Sequence, residues 1–175
     1  MNTNNVLRQQ EWSEDELRAA NMAYYPPRKM RIMARVLEIP LEIHMTIEIL
    51  SAKTGDILIY NPGDGTRKDS INDYDHWPVR NDLFRKTYKL WDEPGWQPND
   101  AELHLIVHGC RPYYKHTGVW AKRLTESVWI QSLESVQPVE VTPGRWLIIG
   151  VEGEPYHDRD TRFRQRYIVE SSSAT

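Results

Sequence analysis

The sequence predicts an α+β protein, mostly β, with two pseudo-symmetric small β-rich halves and an N-terminal helix. The chain of 175 residues, 39% hydrophobic and 27% charged, suits one soluble domain or two very small ones. Short β-branched runs bounded by Gly, Pro and Asp, such as DILIY at 56–60, are typical of strands. Three segments of the chain also occur twice in the same order, which indicates an internal duplication.

The chain opens with a polar stretch, and residues 1–12 are expected to form a disordered tail. The N-terminal helix is predicted over 13–25, because Ser13 stands three residues before Glu16, the spacing of a capping box. Pro26 and Pro27 are expected to end it, since proline lacks an amide donor and clashes with the preceding turn.

The duplication is carried by three pairs of segments. MARVLE at 33–38 matches WAKRLT at 120–125, and TGDILIY at 54–60 matches PGRWLII at 143–149. HWPVRNDLFRKTYKLW at 76–91 matches YHDRDTRFRQRYIVES at 156–171. The pattern predicts a first repeat over 31–91, a connector with an extra strand over 92–117, a second repeat over 118–170 and a polar tail over 171–175. The copies differ most at 62–75, which is rich in Gly, Asp and Asn and predicts a surface loop.

Each repeat is predicted to run strand, strand, glycine turn, apolar strand, loop, one-turn helix and final strand. The third block is ambiguous in the first repeat, because one helix face would hold Leu83, Phe84, Thr87, Tyr88 and Trp91. In the second repeat RFRQRYIV alternates Arg with apolar and polar residues, which favours a strand with Arg162, Arg164 and Arg166 facing solvent. ELHLIVHG at 102–109 is apolar and predicts the extra strand.

Charge and cysteine content narrow the class of protein. The net charge of -3 and the pI near 6.1 argue against a general nucleic-acid binder. Cys110 is the single cysteine, so no intramolecular disulfide forms and a cytoplasmic location is expected. No apolar leader and no run near ~18 apolar residues is present, so neither secretion nor a membrane partner is expected.

Metal and cofactor chemistry is not predicted. On a strand, His104 and His108 would lie ~13 Å apart, too far for one ion, and Cys110 is expected to be a small buried apolar residue. The loop NPGDGTRKD lacks the Lys-Ser/Thr of a phosphate-binding loop and predicts a turn.

The duplicated pattern Arg-Asp/Asn-x-x-Phe-Arg-x-x-Tyr is the candidate site. In one interpretation its Phe and Tyr fill the core, and its Arg residues are solvated or pair locally. In the other, Arg and aromatic residues form a surface for a planar or anionic ligand, through bidentate hydrogen bonds and stacking. Seven Trp and nine Tyr against two Phe are compatible with either a thin core or an interface. We call the candidate ligand- or partner-binding residues the Arg/aromatic surface: Arg67, Trp77, Arg80, Arg85, Tyr156, Arg159 and Arg164.

The second repeat resembles a small domain frequent in phage and prophage proteins. In that domain a Pro-Gly-Asp turn leads into W-L-I-x-G-V-x-G-E-x-Y, followed by D-x-F-x-x-x-Y. The matching residues here are Pro143, Gly144, Trp146, Leu147, Ile148, Gly150, Val151, Gly153, Glu154, Tyr156, Asp160, Phe163 and Tyr167. Arg145 departs from the pattern's Asp, and His157 stands where Pro or Val is common. The resemblance implies a small β-rich module of phage or mobile-element origin, and it transfers no catalytic residue.

The predicted function is a non-enzymatic binding or accessory module for a protein or a small anionic ligand, without a cofactor. Two alternatives stay open. One is a small enzyme with a site between the halves that uses Asp75, His76 and His157. The other is a nucleic-acid-binding accessory protein that uses the Arg residues.

Overall fold

The computed structural model describes residues 5–170 and divides the chain into two compact units. Unit 1 contains the chain up to Arg28 and from Thr117 onward, and unit 2 is Lys29–His116. The fold is α+β and mostly β. Its elements along the chain are β1 (Val6–Leu7), α1 (Glu14–Ala19), β2 (Ala23–Tyr25), β3 (Ile32–Val36), β4 (Leu41–His44), β5 (Ile49–Ala52), β6 (Ile57–Asn61), β7 (Asp75–Val79), α2 (Asn81–Thr87), β8 (Tyr88–Leu90), α3 (Asp100–Val107), β9 (Arg111–Lys115), β10 (Val119–Arg123), β11 (Val128–Ile130), β12 (Val139–Val141), β13 (Trp146–Ile149), β14 (Pro155–Asp158) and α4 (Asp160–Arg166).

Unit 2 is built on a five-stranded antiparallel sheet of order β7-β6-β3-β9-β8, and β4 and β5 form a separate hairpin. Successive side chains of a strand point to opposite faces. Met33 therefore packs in a core with the hairpin and α3, while its neighbour Ile32 packs in a second core with Phe84 of α2. Both faces of the sheet are covered.

Unit 1 has the same layering on a four-stranded sheet of order β14-β13-β10-β2. Leu147 and Ile149 pack in a core with the β11–β12 hairpin and Leu17 of α1. Ile148 packs on the other face with Phe163 of α4. The short strand β1 pairs in parallel with β11 and extends the hairpin to three strands.

The glycine turn before the apolar strand has the same hydrogen bonds in each unit. In unit 2 the Leu37 amide donates to Asp56 O and the Gly55 amide donates to Leu37 O. In unit 1 the amides of Leu124 and Gly144 make the corresponding bonds, to Arg145 O and Leu124 O. Gly55 has φ 92° and Gly144 has φ 93°, a left-handed conformation that favours glycine.

The predicted strand over RFRQRYIV is wrong. Residues 160–166 form the helix α4, and the Tyr167 amide donates to Phe163 O as the helix ends. Phe163 and Tyr167, four positions apart, are both buried, as helical spacing allows. Arg164 is exposed, but Arg162 and Arg166 are half-buried beside Asp158 rather than in solvent.

In the first repeat the predicted short helix that leads into a strand is found, but the helix extends over 81–87 rather than one turn. The helix α2 buries Leu83, Phe84 and Thr87, and the chain then enters β8. Tyr88 is half-buried and stacks on Phe84, with ring centroids 4.8 Å apart.

The predicted extra strand over ELHLIVHG is also wrong, because 100–107 is the helix α3. It begins with a capping box in which Asn99 Oδ1 accepts from the Glu102 amide and Glu102 accepts from the Asn99 amide. This box provides acceptors for two amides at the start of the helix. A prediction from strand propensity alone leaves out that stabilisation. The additional strand of the connector is β9, directly after the helix.

The N-terminal region is more ordered than expected, within the part that the structure describes. Residues 6–7 pair with β11, and the Gln10 amide donates to Gly153 O, so 5–12 is not a disordered tail. The capping box of Ser13 and Glu16 is confirmed, but α1 ends at Ala19 and β2 follows before the two prolines. The tail predicted at 171–175 lies outside the described residues.

An ion pair ties α3 to the sheet of unit 2. Glu102 is fully buried, and its carboxylate accepts from Nε and Nη2 of Arg31 on the segment entering β3. The Arg31 guanidinium also lies 4.9 Å from the ring centroids of both Trp91 and Trp96. A buried charge that loses its partner is costly, so this contact holds α3 in place.

We expect Glu102→Ala to lower the free energy of unfolding by about 3–5 kcal/mol, because it leaves Arg31 unpaired and also removes the cap. Glu16→Ala in α1 is the matched control: it removes the equivalent capping-box residue, which is exposed, and is expected to cost about 1 kcal/mol. Urea denaturation of both variants measures the difference. Equal losses would show that the Arg31 contact adds nothing to the cap.

Candidate functional site

Three residues of the Arg/aromatic surface in unit 2, Trp77, Arg80 and Arg85, lie on or between β7 and α2. Trp77 pairs with Ile59 on the outer strand and packs partly on the core that contains Phe84. Arg80 precedes α2 and forms two hydrogen bonds with Asp82, Nε–Oδ1 of 3.2 Å and Nη2–Oδ2 of 2.7 Å. These bonds lower the pKa of the Asp82 carboxyl, so Arg80 is paired with a stable carboxylate.

Arg85 stands on the exposed side of α2 and has a different partner. Its Nε donates to Asn81 Oδ1 at 2.6 Å, and Asn81 Nδ2 donates to Gly55 O at 2.7 Å. The Arg85 side chain is therefore oriented by a hydrogen-bonded chain that reaches the glycine turn. Its partner is a neutral amide, so the positive charge is not compensated by this contact.

The corresponding residues of unit 1 lie on β14 and α4. Tyr156 pairs with Ile148, and its hydroxyl is 3.1 Å from the hydroxyl of Tyr167. Arg159 precedes α4 and is exposed. Arg164 Nε donates to Asp160 Oδ1 at 2.9 Å, the same helix spacing as Arg85 and Asn81 but with a carboxylate as acceptor.

Asp160 is the acceptor for several groups. It also accepts from Trp146 Nε1 at 2.9 Å, and Arg123 Nη1 lies 3.9 Å away. The Trp146 hydrogen bond, followed by that of Arg164 and the nearby positive charges, lowers the pKa of the Asp160 carboxyl. Arg164 therefore has a carboxylate acceptor, which it shares with Arg123, whereas the acceptor of Arg85 is a neutral amide.

Arg67, the remaining candidate, is exposed in the loop 62–75. That loop is not wholly a surface segment, because Tyr74 is buried in the core that contains α3. The Tyr74 hydroxyl accepts from the Lys68 amide at 3.0 Å and lies 2.9 Å from His104 Nδ1. Burial, and then the charges of Arg67 and His108, lower the pKa of His104.

A groove of about 380 Å³ lies in unit 2 beside the end of this loop. Its lining is Leu41, Glu42, Ile43, His44, Met45, Asn72, Tyr74, Asp75 and His76. His76 Nδ1 is 2.7 Å from Tyr74 O, and since a carbonyl oxygen only accepts, Nδ1 carries the proton. The Nε2 of neutral His76 is then the proton-accepting nitrogen.

The three residues of the enzyme alternative belong to different units. Asp75 and His76 both line the groove of unit 2, whereas His157 lies on β14 in unit 1, with Nδ1 3.3 Å from Arg145 Nη1. The contribution of β4 to the groove, through Glu42, His44 and Met45, was not predicted. Its sequence signal is the alternation in LEIH, which predicts a strand but not the element that it faces.

His104, His108 and Cys110 are of the residue types that can bind a metal ion, and Cys110 is also the only thiol of the chain. Within 5–170 no group of three or more His, Cys, Asp or Glu residues is arranged to hold a metal ion. His104 lies on α3 and His108 is its C-cap residue, with ring centroids 5.3 Å apart, so neither is on a strand. Cys110 is buried as predicted, and burial raises the pKa of its thiol to about 12, so it stays protonated near neutral pH.

Comparison with known proteins finds no matching family model, no similar curated protein and no similar solved structure. Among residues 5–170 no helix has the length and apolar character needed to cross a membrane.

We expect the stability of the protein to fall as the pH drops below about 6.5, in part through His104. The pKa of His104 is lower in the folded state, so the unfolded chain takes up more protons in this range and is favoured. The pKa of His116 is also lowered by burial and acts in the same direction. Urea unfolding at about pH 8 and at about pH 5.5 should show a smaller difference for His104→Asn, whose Oδ1 replaces Nδ1 as the acceptor for Tyr74. An unchanged difference would show that His104 does not carry the effect.

Proposed function

We propose that the chain is a non-enzymatic binding module, of phage or mobile-element origin, that takes an anionic group of a small ligand or a protein on its Arg/aromatic surface. The observation that carries the proposal is the hydrogen-bonded chain from Gly55 O through Asn81 to Arg85. The origin rests on the resemblance of the second repeat alone.

Arg85 has the properties of an anion-binding residue. The guanidinium is planar, and when its Nε is already bonded, its two terminal amino groups remain to match the two oxygens of a carboxylate or phosphate. The bond to Asn81 restricts its rotamers before any ligand arrives, which reduces the entropy lost on binding. A neutral anchor leaves its full charge available to an anion.

We also propose that the units are copies of one duplicated module that have diverged in their anion affinity. The supporting observations are the equal order of elements, the matched glycine turns and the equal spacing of Asn81–Arg85 and Asp160–Arg164. Asn81 and Asp160 differ by a charge, so the copy in unit 2 is the better anion site and the copy in unit 1 serves as an internal reference.

The test compares Arg85→Ala with its matched control Arg164→Ala, with inorganic pyrophosphate and a nucleoside triphosphate as probes. A ligand that binds only the folded state raises the melting temperature. We expect both probes to do so with the unchanged protein. Arg85→Ala should weaken binding by about tenfold or more, as loss of a charge-assisted hydrogen bond implies, and Arg164→Ala by only about threefold or less. Titration calorimetry gives the affinities.

Absence of any shift with either probe, or equal losses in the two variants, would contradict the proposal. A single-stranded DNA of about 20 nucleotides tests the nucleic-acid alternative in the same assay. Its affinity should fall steeply with salt if that alternative is correct, because binding releases counterions.

A second candidate function is catalysis in the groove of unit 2, favoured by the tautomer of His76. A histidine held through Nδ1 presents Nε2 as a proton acceptor, the arrangement of a general base. We expect any hydrolysis of p-nitrophenyl acetate by the protein to be lost in His76→Asn, which keeps a donor for Tyr74 O but has no Nε2, while the melting temperature is retained. Hydrolysis that persists in the variant would exclude His76 as its base.

A further inference from the structure

Two strands, β2 and β9, pair in a different unit from the strand that follows them in sequence. The strand β2 precedes β3 in sequence, yet it pairs with β10 in unit 1. The strand β9 precedes β10 in sequence, yet it pairs with β3 in unit 2. Each sheet is therefore completed by the strand that comes just before the first central strand of the other unit.

The two completing strands make the same contacts. Tyr25 pairs with Val119, and Tyr113 pairs with Ile32, both in antiparallel register. At their far ends the Arg28 amide donates to Arg166 O at 2.8 Å, and the His116 amide donates to Thr87 O at 3.0 Å. Both acceptors lie at the C-terminal end of the helix that follows the outer strand, α4 in unit 1 and α2 in unit 2.

The helices before these strands also correspond. Each of α1 and α3 begins with a capping box and places a leucine, Leu17 or Leu105, in the core beneath the hairpin. The chain before each helix lies against a glycine turn that follows the apolar strand. A Cβ at Gly153 would clash with the Gln10 carbonyl oxygen, and one at Gly65 would lie 2.8 Å from the Asn99 side chain.

We propose that residues 5–28 and 93–116 are two copies of one docking element, and that the rest of each compact unit is a receptor for such an element. We call them the N-terminal element and the central element. The receptor in unit 1 consists of the edge of β10 that pairs with β2, the core under the β11–β12 hairpin and the Gly153 turn. Its partner is a helix–strand element of this kind, and a second copy of the chain supplies one.

The chain connectivity gives the two elements different freedom. The central element belongs to the same continuous stretch, Lys29–His116, as its receptor. The N-terminal element joins the rest of the chain through the Arg28–Lys29 bond, which leads into unit 2, so the part of unit 1 from Thr117 onward holds it only by noncovalent contacts. An element from another chain makes the same contacts, and only the effective concentration favours the chain's own copy.

The experiment uses the full chain with a protease site inserted between Arg28 and Lys29. After cleavage we expect the fragment 1–28 to co-elute with 29–175 in size-exclusion chromatography. A labelled synthetic 1–28 peptide in excess should then replace it, at a rate that urea below the unfolding midpoint increases. Release of the fragment on cleavage, or retention without exchange in that urea, would overturn the proposal.

Two pairs of variants locate the contact. Leu17→Asp removes the buried anchor of α1, and Asp15→Asn changes an exposed residue of the same helix. Gly153→Ala places a methyl group against the Gln10 carbonyl, while Gly144→Ala imposes similar backbone strain, φ 93° against 74°, with nothing within 4 Å. We expect Leu17→Asp and Gly153→Ala to accelerate release of the fragment by about tenfold or more and their controls by about threefold or less, since each tenfold step is ~1.4 kcal/mol. Equal rates within both pairs would overturn the proposed docking site.

Discussion

The constraint on which both units depend is that their central strands are buried on both faces. The strands β6 and β13 consist almost wholly of buried residues, so neither shows the alternation of a half-exposed strand. Other elements must therefore pack on both faces of each sheet. The helix after the outer strand covers one face, and the hairpin together with the helix before the completing strand covers the other.

This double covering determines where functional side chains are displayed. The helices α2 and α4 must turn Phe84 and Phe163 inward, so the residue one position after each Phe projects outward. Arg85 and Arg164 lie there, each held by the first residue of its helix. The hairpin on the other face leaves room against the outer strand, and the groove with His76 occupies that room. In unit 2, Arg85 and Trp77 on the side of α2 and the groove on the side of the hairpin thus result from opposite faces of one sheet.

The Arg residues of the repeated sequence pattern differ in the group that accepts their hydrogen bonds. Arg80 is matched by Asp82 and Arg164 by Asp160, whereas Arg85 is held by an amide. Exposed ion pairs of this kind add little stability, so their main effect is on the charge that the surface offers to a ligand. A pattern of Arg and aromatic residues is therefore an incomplete description of an anion site until the acceptor of each guanidinium is known.

The sequence by itself determined the features that depend on neighbouring residues. The glycine turns at Gly55 and Gly144, the capping box at Ser13 and the apolar strands β6 and β13 were all predicted, because backbone dihedrals and side-chain caps act over a few residues. The candidate residues Trp77, Arg80 and Arg85 were also predicted to lie in one segment, but the groove formed with β4 was not. The helix α3 also carries a local signal, the capping box of Asn99 and Glu102, although a strand was predicted there. Only the tertiary structure decided that 160–166 is a helix and that β2 and β9 complete sheets to which they are not adjacent in sequence. These outcomes depend on burial against residues far along the chain and on which strand edge remains open, and no local pattern encodes either quantity.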